Sequence, residues 1–176
     1  MLIAEASESD LEDVLAVSRA AFEGEDVATL VRDLLEDPSA PPLLSLMARE
    51  EGRTIGHALF SAAKIGTEEE SASAVILAPL AVVPDEQRRG VGGLLLQTGF
   101  RLLGASGIGL VFLAGDSGYY TRHGFEPARP CGFIPPFLIS PEGAWMVRAL
   151  AWDALGRASG AVICADALNR PEHWRK

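Results

Sequence analysis

The sequence predicts an α/β layer fold: a mixed central β-sheet flanked by helices. Three observations carry this expectation. Apolar residues recur at helical spacing over Asp10 to Phe22 and again over about Glu25 to Leu35. After Pro41-Pro42, two apolar runs joined by Glu51-Gly52 have the form of a β-hairpin. Further on, strand-like and helix-like segments alternate, and strands first paired by a hairpin and then linked through helices make a mixed sheet.

In chain order, Leu2 to Ala6 reads as the first strand. Ser7 or Ser9 can cap the first helix, on which Leu11, Val14, Leu15, Val17 and Ala21 share a face. The second helix aligns Val27, Leu30, Val31 and Leu34 and stops at Asp37-Pro38, because proline pushes the preceding residue out of helical geometry. Leu43 to Arg49 and Thr54 to Ile65 form the hairpin. Thr67 to Ser73 contains three consecutive glutamates and reads as a solvated loop. Ala74 to Val83 is strand-like but contains Pro79, which implies an edge, a bulge or a splayed pair. Gly90 to Leu103 is a helix with a glycine-rich first turn, and Ile108 to Leu113 is a short buried strand. Tyr119 to His123 is a short helix closed by Gly124, with Phe125 opening the next strand. Trp145 to Leu150 and Ala161 to Cys164 are the last strands. Without a repeat or a linker, residues 1–176 are expected to form one domain.

Composition narrows the function classes. A chain of 176 residues, 48% hydrophobic, is large enough to bury a core. Its net charge of −9 opposes non-specific nucleic-acid binding, which needs a basic footprint. An acidic surface also favours a cationic substrate such as an amine. The longest apolar run, Ala74 to Val83, is too short to span a bilayer, and Met1 to Glu5 lacks the basic flank of a signal peptide. A cytoplasmic protein without membrane contact is expected. Cys131 and Cys164 have neither metal-like nor redox-like spacing, so they read as core or surface thiols and no metal is expected.

The chemistry concentrates between Leu80 and Leu96, where a strand, a polar turn and a helix opening on glycines follow one another. The first N–H groups of a helix lack internal partners and carry partial positive charge. Gly90, Gly92 and Gly93 remove side chains that would keep an anion away, and Arg88 and Arg89 add charge beside them. Such a turn suits a phosphate or pyrophosphate, although the same glycines also permit close helix packing. No Gly-Lys-Ser/Thr triplet follows Gly92, and Leu95 stands where a dinucleotide fingerprint needs glycine. What remains is Gln87-x-x-Gly90-x-Gly92 after a strand containing Leu80-Ala81-Val82.

That pattern resembles the coenzyme A signature of the GNAT N-acetyltransferase superfamily. The segment Gly115 to Pro127, with Tyr120-x-Arg122-x-Gly124-Phe125, resembles the element that follows the next strand in that family. Its Gly-Asp-x-x-Tyr-Tyr form, together with Ile55 to Ser61 and Leu77 to Val82, is similar to a bacterial subgroup called YhbS-like. The resemblance implies a sheet splayed into a V between the strand ending near Val83 and the strand Ile108 to Leu113. It implies pantetheine in the V on the backbone of Leu80, Ala81 and Val82. The pyrophosphate would lie over Gln87, Arg88, Arg89, Gly90, Val91, Gly92 and Gly93, with Arg122 either at the phosphates or at a helix end. It also implies acetyl-CoA as acyl donor, a primary amine on a small molecule or protein as acceptor, and direct transfer. Tyr120, four residues before Gly124, falls where the family sets the tyrosine beside the coenzyme sulfur.

Other residues divide less sharply. Tyr119 reads as packing, His123 and His173 as surface residues, and His57 as a structural histidine rather than a substrate-side group. No acid lies on Leu77 to Val83, where some family members keep a general base; Glu25 and Asp26 are the substitutes considered. A non-catalytic acyl-CoA sensor is therefore the rival reading, ahead of an unrelated phosphate-binding α/β protein. The segment after Trp145 adds strands, covers the acceptor side or forms a homodimer contact.

Overall fold

The computed structural model describes residues 1–66 and 73–175, so the loop expected over Thr67 to Ser73 lies outside the described residues except for Ser73. The chain opens with β1 (Leu2–Glu5) and a 3-10 turn over Glu8–Asp10, followed by α1 (Leu11–Phe22) and α2 (Asp26–Glu36). The Asp10 carboxylate accepts from the Ser7 N–H (2.8 Å) and the Ser7 hydroxyl (2.9 Å), which fixes the entry to α1. The hairpin pairs β2 (Leu44–Glu50) with β3 (Arg53–Ile65). Its turn residues Glu51 and Gly52 both take positive φ (52° and 80°), the geometry that matches the strand twist in a two-residue loop.

Next come β4 (Ala74–Val82), α3 (Val91–Ala105) and β5 (Leu110–Ala114). A short α4 (Ser117–Tyr120) continues as a 3-10 turn over Thr121–His123. It starts two residues earlier than the sequence suggests, because the Asp116 carboxylate accepts the Gly118 N–H at 2.9 Å and caps it. The remaining strands are β6 (Glu126–Pro127), β7 (Phe133–Ile134), β8 (Trp145–Ala149) and β9 (Gly160–Cys164). A two-residue strand such as β7 has no periodicity to read in a sequence.

Hydrogen-bonded neighbours run β1-β2-β3-β4-β5-β8-β6, antiparallel except for the parallel pair β4–β5. Beside Ala63 to Ile65 of β3, past the end of β2, lies β9, and β7 pairs with it in parallel. The mixed sheet is the predicted one. Its strands alternate side chains between two faces. On one face Phe112, Trp145 and Phe133 pack with Leu15, Val31 and Leu34 of the first two helices and with Leu168 and Trp174 from the C-terminal segment. On the other, Val111 and Leu113 pack with Leu95 and Leu96 of α3 and with Phe125. The segment after Trp145 therefore supplies both a strand and part of the first core layer.

Candidate active site

β4 is paired on both sides only over its first three residues. Ala74, Val75 and Ile76 lie opposite Leu110, Val111 and Phe112 of β5, and the parallel ladder stops there. On its other side β4 follows β3 to Val82, with a register shift that sets Ala78-Pro79 opposite Leu59. Pro79 has no amide to donate and falls in this bulge, three residues past the last pair with β5.

The Val83 N–H donates to the Ile55 carbonyl at 2.9 Å. Antiparallel pairs alternate between bonded and non-bonded, so Ala81 exchanges both bonds with His57 while the polar groups of Leu80 and Val82 turn to the open edge. The expectation that Ala81 offers its backbone to a ligand is thereby corrected: the ladder to β3 already uses it. Gln87 folds back on the same edge, its Nε2 donating to the Val82 carbonyl at 2.9 Å.

The turn into α3 is built from Arg88 (φ +66°) and Gly90 (φ +85°), both left-handed. The first helical bond runs from the Leu94 N–H to the Gly90 carbonyl (3.1 Å), which leaves the amides of Val91, Gly92 and Gly93 without a helical acceptor. The two arginines part company here. Arg89 is held by Glu86 and by Glu50 (3.2 Å), strapping the turn to the end of β2, whereas Arg88 is exposed and forms no ion pair among the described residues.

Facing this turn is the segment Ser117–His123. Tyr120 packs edge-on against Phe125 (5.6 Å between centroids) and Tyr119 (4.9 Å). Burial, then Tyr119 and Asp116, raise its pKa, so the phenol keeps its proton and serves as a hydrogen-bond donor. Tyr119 does more than pack in the core. Its hydroxyl stands 2.5 Å from where a Cβ on Gly92 would be, and the His123 ring stands 3.2 Å from the equivalent point on Gly93. The glycines thus let α3 approach this turn, and they set no side chain of their own beside amides that lack a helical acceptor. His123 is half-buried rather than on the surface, and burial followed by Arg122 and Arg148 lowers its pKa. The exposed Arg122 stacks over the Tyr119 ring at 5.3 Å.

His57 is fully buried on β3, its Nε2 2.8 Å from the Ser45 hydroxyl and its Nδ1 without a partner. Burial pushes its pKa down to about 4, so it is neutral near pH 7. Of the substitute acids, Glu25 is paired with Arg19 at 2.7 Å and Asp26 is exposed. Cys131 and Cys164 are free thiols. Among the described residues no cluster of His, Cys, Asp or Glu has a metal-binding arrangement, and no helix is long and apolar enough to cross a membrane. A pocket lined by Arg129, Pro135, Leu138, Ile139, Glu142 and Trp145 opens beside the C-terminal end of β5, where Trp145 pairs with Ala114. Trp145 belongs to the core layer opposite α3, so this pocket opens on that face of the sheet.

Residues 3–128 match the family model described as "Acetyltransferase (GNAT) domain". The chain belongs to the GNAT acetyltransferase family. Within it, the chain is 44% identical over 161 residues to the Escherichia coli protein described as uncharacterized N-acetyltransferase YjhQ, covering 90% of this chain and 88% of that one. Its structure is similar to that of the E. coli GNAT protein YhbS in complex with CoA (TM-score 0.87, 32% identity, 96% of this chain and 92% of that one). It is also similar to a Brucella melitensis GNAT acetyltransferase in complex with acetyl-CoA (TM-score 0.73, 26% identity, 95% and 97%).

Proposed function

We propose that this acetyltransferase takes its acetyl group from acetyl-CoA and transfers it directly to a primary amine. One observation carries the reading: the open edge of β4 leads to the uncapped amides of α3, with Tyr120 on the facing wall. The open edge offers the amide and carbonyl of Leu80 and the amide of Val82, a set that suits the amides of pantetheine. Val91, Gly92 and Gly93 offer three amides to the diphosphate, with Arg88 and Arg122, neither in an ion pair among the described residues, as the cations for it. The relatives whose structures hold CoA or acetyl-CoA support the same donor.

In the transfer, the amine nitrogen attacks the thioester carbonyl and the tetrahedral intermediate loses the thiolate as the C–S bond breaks. The Tyr120 hydroxyl, kept protonated by its surroundings, donates a hydrogen bond to the sulfur as charge develops. The nitrogen gives up its proton to water or to the thiolate. The C-terminal segment works with the rest as one domain, because β9 pairs with β3. The cytoplasm is the proposed site of action.

The test is a panel of amines, peptides and aminoglycosides assayed for free thiol released from acetyl-CoA. Acceleration above thioester hydrolysis by at least one acceptor is expected. Tight acetyl-CoA binding with no acceleration would favour a sensor instead, a reading supported by the lack of any carboxylate on Leu77 to Val82.

A further inference from the structure

Arg148 stands on β8 among Trp145, Met146, Val147 and Ala149, the one charge in that strand. Its surroundings are unusual for a guanidinium. It lies over the ring of Phe100 on α3, 4.5 Å from the centroid, and its Nη1 donates to the carbonyl of His123 at the end of the Tyr120 turn. Its Nε is enclosed without a partner, and no carboxylate pairs with it among the described residues. An apolar side chain of similar volume would fill this space without desolvating a cation. Gly124 is shaped around the same group: its φ is +84°, and a Cβ there would overlap the guanidinium.

The segment Ser117–His123 is too short to hold its own shape by helical bonds alone. Asp116 fixes its first turn through the Gly118 N–H. Arg148 fixes the other end, where carbonyls lack helical donors and a cation is favoured. Because the same guanidinium rests on Phe100, it ties this end to α3, the helix that carries the phosphate-binding turn.

We propose that Arg148 is a positioning residue, pinning the Tyr120 turn to α3 and so holding the Tyr120 hydroxyl against the coenzyme sulfur. The inference rests on the reading of Tyr120 as the donor to that sulfur. A displacement of about 1 Å in such a contact is enough to cost most of its effect.

The test titrates the thiol of bound coenzyme A in the full chain, following the ultraviolet absorbance of the thiolate. It needs no acceptor. A hydroxyl that donates to the sulfur lowers the thiol pKa, by roughly one unit, and Tyr120→Phe removes that shift. Arg148→Met is expected to raise the bound-thiol pKa nearly as far as Tyr120→Phe, with the double variant no further than either single one. Arg148→Lys keeps a donor for the His123 carbonyl and should recover part of the shift. The proposal is overturned if Arg148→Met leaves the thiol at its wild-type pKa, or if its shift adds in full to that of Tyr120→Phe. No shift in Tyr120→Phe alone would remove the Tyr120 reading itself, and the inference with it. Should Arg148→Met fail to fold, the cycle is run with Phe100→Leu, which withdraws the ring under the guanidinium and is held to the same two outcomes.

Discussion

The two halves of β4 are alike in composition and opposite in use. Ala74 to Ile76 is bonded to β3 on one side and β5 on the other, and its side chains are buried. Leu77 to Val82 is just as apolar, yet only β3 pairs with it. The ladder to β5 has already stopped at Ile76, and Pro79, three residues on, has no amide with which to resume one. A half-buried strand edge with unpaired groups is unfavourable unless something supplies partners. The closed part makes the sheet, and the open part carries the candidate site.

Several substitutions would break this contrast, and the largest effect is expected at the turn into α3. Gly92→Glu would force the Tyr119 hydroxyl away and set a carboxylate where the diphosphate is proposed to lie. Acetyl-CoA affinity measured by calorimetry should fall at least 100-fold, while the fold persists because an acid suits the first helical turn. At the facing wall, Tyr120→Phe should lower kcat by roughly 10–10³ with little change in coenzyme affinity. Tyr119→Phe is the control and should change kcat far less.

The strand itself provides a sharper comparison. Ala81→Pro removes a donor from the ladder to His57 and should destabilise by roughly 2–3 kcal/mol in a denaturant titration. Val82→Pro, one residue on, removes a donor that faces the open edge. It should weaken coenzyme binding about tenfold with a smaller loss of stability. Equal destabilisation by both would mean that the alternation has been assigned to the wrong residues.

His57 tests the closed side of the same ladder. Its pKa is lowered from 6.5 to about 4 in the folded chain, so between these values the unfolded chain binds a proton that the folded chain refuses. Its contribution is full above about pH 6.5 and is lost as pH falls toward 4, on the order of 3 kcal/mol in all. Unfolding free energies measured across this window should fall less steeply in His57→Gln than in the wild type. Asp10 and Asp37, whose pKa values are lowered from 3.8, lose their contributions mainly below it.

Much of this was legible in the residues. Helical spacing located α1 and α2, and Glu51-Gly52 located the hairpin turn. Gln87-x-x-Gly90-x-Gly92, followed by Tyr120-x-Arg122-x-Gly124-Phe125, pointed to the family that the comparisons show. Pro79 announced a break in pairing without saying whether it meant an edge, a bulge or a splay. Arg148 left one trace, a lone charge in an apolar strand, which acquires meaning only beside Phe100 and His123. His123 reads as a surface residue because nothing in its neighbours along the chain tells of Gly93, against which its ring lies.

The sequence by itself determined the longer helices and strands and the glycine-rich start of α3. Periodicity, proline and glycine act on the backbone within a few residues, and those effects survive in isolation. Only the tertiary structure decided which groups of β4 remain open, which arginine is engaged and which tyrosine covers Gly92. Each of these depends on a partner distant in sequence: Ile55 for the alternation, Glu50 for Arg89, and Gly92 itself for Tyr119. A ladder's parity and a side chain's exposure are set by what folds against them, and no local pattern encodes that.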